Sequence, residues 1–148
     1  MNKRFIPYNE VKNCIKILDE KITLSKWKPD LILSINRGGC IPGIYLSHLR
    51  GINHEVLSFK NKINSYIPFY LKKIENIYSN ILIIDDINDT GKTLIEIKKK
   101  YNQSTFKFKF AVLISNRSSS FKVDYYSNEI DKKVYNSWIV FPWENIDA

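Results

Sequence analysis

A chain of 148 residues, 44% hydrophobic and 14% aromatic, is long enough for a packed core and too apolar to be a disordered segment. Its formal charge of +8 is spread in short runs (Lys72-Lys73, Lys98 to Lys100, Lys132-Lys133) rather than gathered into the basic block of a nucleic-acid arm. It therefore reads as a solvated cationic surface that favours anionic small substrates, with nucleic acid an unlikely partner. No apolar run nears the roughly 20 residues of a bilayer span, the N-terminus lacks a signal-peptide core, and Cys14 and Cys40 stand apart as free thiols; the expectation is a cytoplasmic protein with one domain over residues 1–148.

Along the chain, Asn9 is the expected cap of a helix to about Thr23, with Val11, Cys14, Ile15, Leu18 and Ile22 on one face. Leu31 to Ile35 is a short apolar run suited to a buried strand, broken by Asn36-Arg37-Gly38-Gly39. A helix is predicted over Pro42 to Leu49 with Gly51 near its end, then a strand over Glu55 to Phe59. Residues 60–73 carry no clean period and read as a loop. Ile81-Leu82-Ile83-Ile84 is the strongest strand signal and ends in Asp85-Asp86. A helix begins near Thr93, with Leu94, Ile97 and Tyr101 inward. Phe106, Phe108 and Phe110 alternate with lysines into Ala111 to Ile114, and Trp138-Ile139-Val140 closes the chain's folded part. Strands alternating with helices predict an α/β fold with a mainly parallel sheet covered on both faces, and such sheets bind ligands beyond the carboxyl ends of their strands. His48, His54 and Cys40 read as structural.

Chemistry concentrates in Asp85-Asp86-Ile87-Asn88-Asp89-Thr90-Gly91-Lys92-Thr93. A strand delivers two carboxylates to its edge, and a Gly-containing turn then opens a helix whose first N–H groups lack intrahelical partners. Carboxylates for sugar hydroxyls or Mg²⁺ thus stand beside a phosphate cradle. Gly91-Lys92-Thr93 is not a P-loop, because Asp86 occupies the position where that motif needs Gly.

The order of four apolar residues, two acids, two variable positions and Asp-Thr-Gly-x-Thr resembles the binding motif for 5-phosphoribosyl pyrophosphate (PRPP) of type I phosphoribosyltransferases. Ser34 to Gly43 resembles the pyrophosphate loop of bacterial xanthine-guanine members, in which the peptide bond at this turn can be cis. Trp138-Ile139-Val140-Phe141-Pro142-Trp143-Glu144 resembles their base-binding tail, so the resemblance spans about Tyr8 to Glu144. It implies the family's fold with a small C-terminal hood over the base. Asp85 and Asp86 would meet the ribose hydroxyls directly or through Mg²⁺. Asp89 would be the general base, and Asp89, Thr90, Gly91, Lys92 and Thr93 would hold the 5′-phosphate. Arg37 and Gly38 would meet pyrophosphate. Trp138 would stack on the base, Ile139 would offer backbone groups and Glu144 would accept from an exocyclic amine. A closing loop would fall in residues 60–73, with Ser58-Phe59 or Ser65-Tyr66 as the family's Ser-Tyr pair. Relatives are commonly dimers or tetramers.

Asn116 falls where the purine enzymes carry a Lys against the 6-oxo group, with Arg117 next to it. The implied activity is purine salvage with guanine, xanthine or hypoxanthine. Two alternatives stay open: a different base acceptor, or a PRPP- or nucleotide-binding regulator on the same fold.

Overall fold

The computed structural model describes residues 1–58 and 73–145. Its elements are β1 (Asn2–Phe5), α1 (Tyr8–Leu24), β2 (Leu31–Ile35), α2 (Cys40–Arg50), β3 (Asn53–Leu57), β4 (Asn80–Asn88), α3 (Lys92–Tyr101), β5 (Lys107–Asn116), β6 (Tyr125–Ile130) and β7 (Ser137–Val140), then a 3₁₀ turn at Pro142–Glu144. The five central strands are all parallel, in the order β3-β2-β4-β5-β6.

Apolar residues of β2 and β4 alternate between two cores, because successive side chains of a strand point to opposite faces. Ile32, Leu82 and Ile84 pack with Val11, Cys14, Ile15, Leu18 and Ile22 of α1. Leu31, Leu33, Ile81 and Ile83 pack with Leu94, Ile97 and Tyr101 of α3. Both helices therefore bury the stripes that their spacing predicts.

Four boundaries differ from the sequence-based expectation. The carbonyl of Pro7 accepts the N–H groups of Glu10 and Val11, so α1 starts ahead of Asn9, whose side chain meets the Glu10 N–H instead of capping. Helix α2 begins at Cys40, because Gly39 and Cys40 already donate to Ile35 and Arg37. Strand β3 is displaced to Asn53–Leu57 by its register with β2, Leu31 opposite Asn53 and Ile35 opposite Leu57. Strand β4 runs on through Asp85-Asp86 to Asn88, held by β5 as far as the Asn88–Ser115 pair.

Two strands carry no apolar alternation and were not expected. Strand β6 extends the sheet beyond β5. Strand β1, wholly exposed, pairs in parallel with β7 and sets Lys3 opposite Trp138 and Arg4 opposite Ile139. This two-stranded ribbon is hydrogen-bonded separately from the main sheet and forms a small hood, with Ile139 packed into the core shared with Ile32 and Leu82. Residues 59–72, including the Ser65-Tyr66 pair, Phe59 and nearly all of the expected closing loop, lie outside the described residues.

His54 has a structural partner: its Nε2 lies 2.7 Å from Ser34 Oγ, across β2 and β3. Burial lowers its pKa, which favours the neutral ring.

Candidate active site

The chain leaves β2 for α2 and β3 on one side of the sheet, and leaves β4 for α3 and β5 on the other. The strand order therefore reverses between β2 and β4, and a crevice opens beyond their carboxyl ends. The two segments with unusual chemistry meet there. The Asn36–Arg37 peptide bond is cis. A Cβ on Gly38 would fall 2.3 Å from Asp86 Oδ2, and one on Gly39 would fall 2.2 Å from the Ile84 carbonyl oxygen. Only glycines let this turn lie against the acidic edge of β4.

Asp85 and Asp86 are crowded together. The Asp86 N–H donates to Asp85 Oδ1 at 2.9 Å. Burial pushes the Asp86 carboxyl up to about 6, and the nearby Glu144 carboxylate adds to it. Burial, then the Asp86 charge, also raises Asp85 well above the ordinary carboxylate range. Two desolvated acids side by side favour an added cation or hydroxyl donors. Among the described residues no group of three or more His, Cys, Asp or Glu side chains could hold a metal. A pair of hard oxygen ligands fits Mg²⁺, which usually takes one or two carboxylates and completes its shell with water and substrate oxygens.

Residues Asp85 to Leu94 line a polar cavity of about 240 Å³. Gly91, at φ 86°, turns the chain into α3 and packs under Phe121. The segment after β5 straps this loop down: Ser119 Oγ donates to Asn88 Oδ1 at 2.8 Å, Asn88 Nδ2 to the Phe121 carbonyl at 2.7 Å, and Ser120 Oγ to the Thr90 carbonyl at 2.7 Å. The start of α3, whose first N–H groups have no intrahelical partners, is thus held in place from the segment after β5.

A second cavity of about 100 Å³ adjoins the first and shares Asp86, Ile87 and Asp89 with it. Its other walls are Lys132, Trp138, Ile139, Phe141 and Glu144. Trp138 is 49% exposed at this cavity. Trp143 is instead stacked on Phe141, with centroids 4.9 Å apart and planes at 6°. Glu144 Oε2 accepts the Phe141 N–H at 2.8 Å and braces the turn that shapes this wall.

The arrangement is a polar cavity beside one with aromatic walls, with Asp86 and Asp89 in both linings. The phosphoribosyl transferase domain model matches residues 8–145. The chain belongs to the phosphoribosyl transferase domain family.

Solved members and neighbours agree with the fold. A purine phosphoribosyltransferase from Pyrococcus horikoshii superposes with a TM-score of 0.72 at 28% identity, over 100% of this chain and 97% of that one. A hypothetical protein from Neisseria gonorrhoeae with bound ppGpp gives 0.78 at 21% identity, over 99% and 91%. The Helicobacter pylori xanthine-guanine-hypoxanthine phosphoribosyltransferase gives 0.67 at 18%, over 97% and 94%. The parallel sheet with flanking helices is thus the type I phosphoribosyltransferase fold. No helix among the described residues is long and apolar enough to cross a membrane.

Against that family pattern, one expected residue is placed elsewhere and one unexpected residue is present. Asn116 lines neither of the two cavities. Its Nδ2 donates to the Asp89 carbonyl at 3.0 Å, while its Oδ1 accepts the N–H groups of Ser118 and Lys132 at 3.2 and 3.1 Å. It ties loops together and lines a separate cavity with Arg117, Phe121 and Tyr126. Lys132, which sequence reasoning noted only as part of a basic run, pairs its Nζ with Asp89 Oδ2 at 2.7 Å. Cys40 is half-buried and its thiol donates only to Asn36 Oδ1, at 3.6 Å; desolvation, then the Asp85 charge, raises its pKa, which disfavours a nucleophilic thiolate.

Proposed function

We propose that this chain is a Mg²⁺-dependent phosphoribosyltransferase of purine salvage, moving the phosphoribosyl group of PRPP onto guanine, xanthine or hypoxanthine. The observation that carries the reading is the pair of adjoining cavities, polar and aromatic, that share Asp86 and Asp89. The family match and the purine enzyme of P. horikoshii support it. On this reading the protein works in the cytoplasm as a dimer or tetramer.

The residues then divide the work. Thr90, Gly91, Lys92 and Thr93 bind the 5′-phosphate through α3's first turn, with Asp89 at its edge. Asp85 and Asp86 hold the ribose hydroxyls. Arg37 and the Gly38 backbone meet the pyrophosphate. Mg²⁺, held through Asp86 and Asp85, supplies charge neutralisation at the pyrophosphate when bound. Trp138 stacks on the base, and the Ile139 backbone and Glu144 meet its edge. As pyrophosphate leaves the anomeric carbon, the sugar ring gains positive charge, which the carboxylates stabilise. One imidazole nitrogen of the base forms the new C–N bond, and the proton on the other passes to Asp89.

The test is formation of a nucleoside monophosphate from PRPP and Mg²⁺ with guanine, xanthine, hypoxanthine, adenine, uracil or orotate, resolved by chromatography. A 6-oxopurine product supports the reading. Product with another base leaves the enzyme class standing and changes the acceptor, as the Asn116 departure allows. PRPP binding without any product moves the chain to the regulatory reading, for which the ppGpp-bound N. gonorrhoeae structure is the relevant neighbour.

A further inference from the structure

The base cavity contains a cation that the motif comparison does not supply. Lys132 follows β6, and its side chain is 16% exposed. Its Nζ stands 2.7 Å from Asp89 Oδ2 and 5.7 Å from the centre of the Trp138 ring. Its position is fixed from behind. The Asn116 carboxamide holds both the Lys132 N–H and the Asp89 carbonyl. Ser118 Oγ donates to Asp131 Oδ1 at 2.7 Å, the Lys133 N–H donates to the same oxygen at 3.0 Å, and the Arg117 N–H donates to the Ile130 carbonyl at 2.7 Å. These bonds hold the backbone of Lys132 and its neighbours in place, while the ammonium itself meets Asp89 and the Trp138 ring.

Such an ammonium is donor-only, and the carboxylate beside it is acceptor-only. Together they form an acceptor–donor pair 2.7 Å apart at the edge of a stacking platform. The imidazole edge of a 6-oxopurine is its complement: the N7 position bears a proton in one tautomer, and the neighbouring O6 accepts. A 6-aminopurine has an N–H donor in place of O6 and would set it against the ammonium.

We propose that Lys132 is the specificity-determining residue of the base site, donating to the O6 of a 6-oxopurine stacked on Trp138 while Asp89 faces N7. The proposal rests on the phosphoribosyl-transfer reading and gives that reading its base class. The role comes from the segment after β6 and not from the end of β5, where Asn116 is committed to holding the two partners in place. When Asp89 takes the N7 proton it loses its charge, and the ammonium passes from the carboxylate to the oxygen of the ring.

The test is calorimetric binding of the product monophosphates GMP, IMP and AMP to the full chain, which needs no turnover. The wild type is expected to prefer GMP and IMP over AMP by at least about 10-fold, the size of effect seen when a buried polar partner is mismatched. Lys132→Met should bring that ratio to near 1, chiefly by weakening GMP and IMP. Lys133→Met, one residue along, should leave it unchanged. Should Lys132→Met fail to give a cooperative melt, Lys132→Gln, which keeps the loop polar, carries the same comparison. A ratio retained in a folded Lys132 variant overturns the proposal and leaves the transfer reading intact, as does a wild type that binds all three equally. A wild type that binds none of them overturns both.

Discussion

At the scale of single residues, Asp86 carries the sharpest consequence. Its carboxyl is displaced upward from 3.8 to about 6, chiefly by burial. The unfolded chain ionises near 4, so folded Asp86 holds its proton over a pH range in which the unfolded chain has released it. Stability from this group is therefore present below about pH 4, falls as pH rises to about 6, and is absent above that. Asp86→Asn should raise folding stability at pH 7.5, by up to roughly 3 kcal/mol from the size of the displacement, with the gain vanishing near pH 4. Melting curves of both proteins across that range check it, and a gain that does not depend on pH would contradict the account. On the proposed reading the same substitution costs PRPP affinity, since the ionised form would meet Mg²⁺ and ribose, and function would then work against stability, as it does where strained or repelling groups are kept for a ligand.

At the scale of elements, the turn between β2 and α2 is where packing and chemistry coincide. Gly39 lies so close to the Ile84 carbonyl that a methyl group would fall 2.2 Å from the oxygen, and backbone on both sides leaves little room to yield. Gly39→Ala should therefore destabilise the fold by about 1–3 kcal/mol, measured by denaturant midpoint. An unchanged midpoint would mean that the turn is free to move away from β4. Arg-Gly-Gly alone is most often an ordinary turn, and this one was legible through its place after the apolar run Leu31 to Ile35 and ahead of the acidic motif. The sequence carried α1 and α3 equally well, through Val11, Cys14, Ile15, Leu18 and Ile22 and through Leu94, Ile97 and Tyr101, which occupy the buried stripes expected of them. It did not carry β1 or β6. Asn2–Phe5 is exposed at every position, and Tyr125–Ile130 mixes polar residues on an edge of the sheet, so neither shows a period of two. Such strands are defined by the partner they pair with, and a partner is not visible locally.

At the scale of the whole molecule, the same limit explains the site. Asp85, Asp86 and the Asp89 to Thr93 turn are contiguous in sequence and were legible as a unit. Arg37 and Gly38 came with them because β2 and β4 are neighbours at the point where the sheet order reverses. Lys132 was not legible, since it reaches Asp89 across 43 residues through the pairing of β5 with β6 and through Asn116. Asn116 itself drew attention for the correct reason, a departure from the family pattern, yet its side chain is spent on the Asp89 and Lys132 backbone. The polar cavity is thus built from one contiguous stretch of sequence, and the aromatic one from distant segments: β7, the 3₁₀ turn and the end of β6.

On the proposed reading Asp89, on the wall between the two cavities, takes the proton of an incoming base during phosphoribosyl transfer. The most direct measurement is pyrophosphate release from PRPP and Mg²⁺, with and without a 6-oxopurine, in the wild type and in Asp89→Asn, beside calorimetric PRPP binding to both. The account predicts release that depends on the purine in the wild type, at least roughly 100-fold slower in Asp89→Asn, with PRPP affinity kept within a few-fold. Equal release by the two proteins would contradict it.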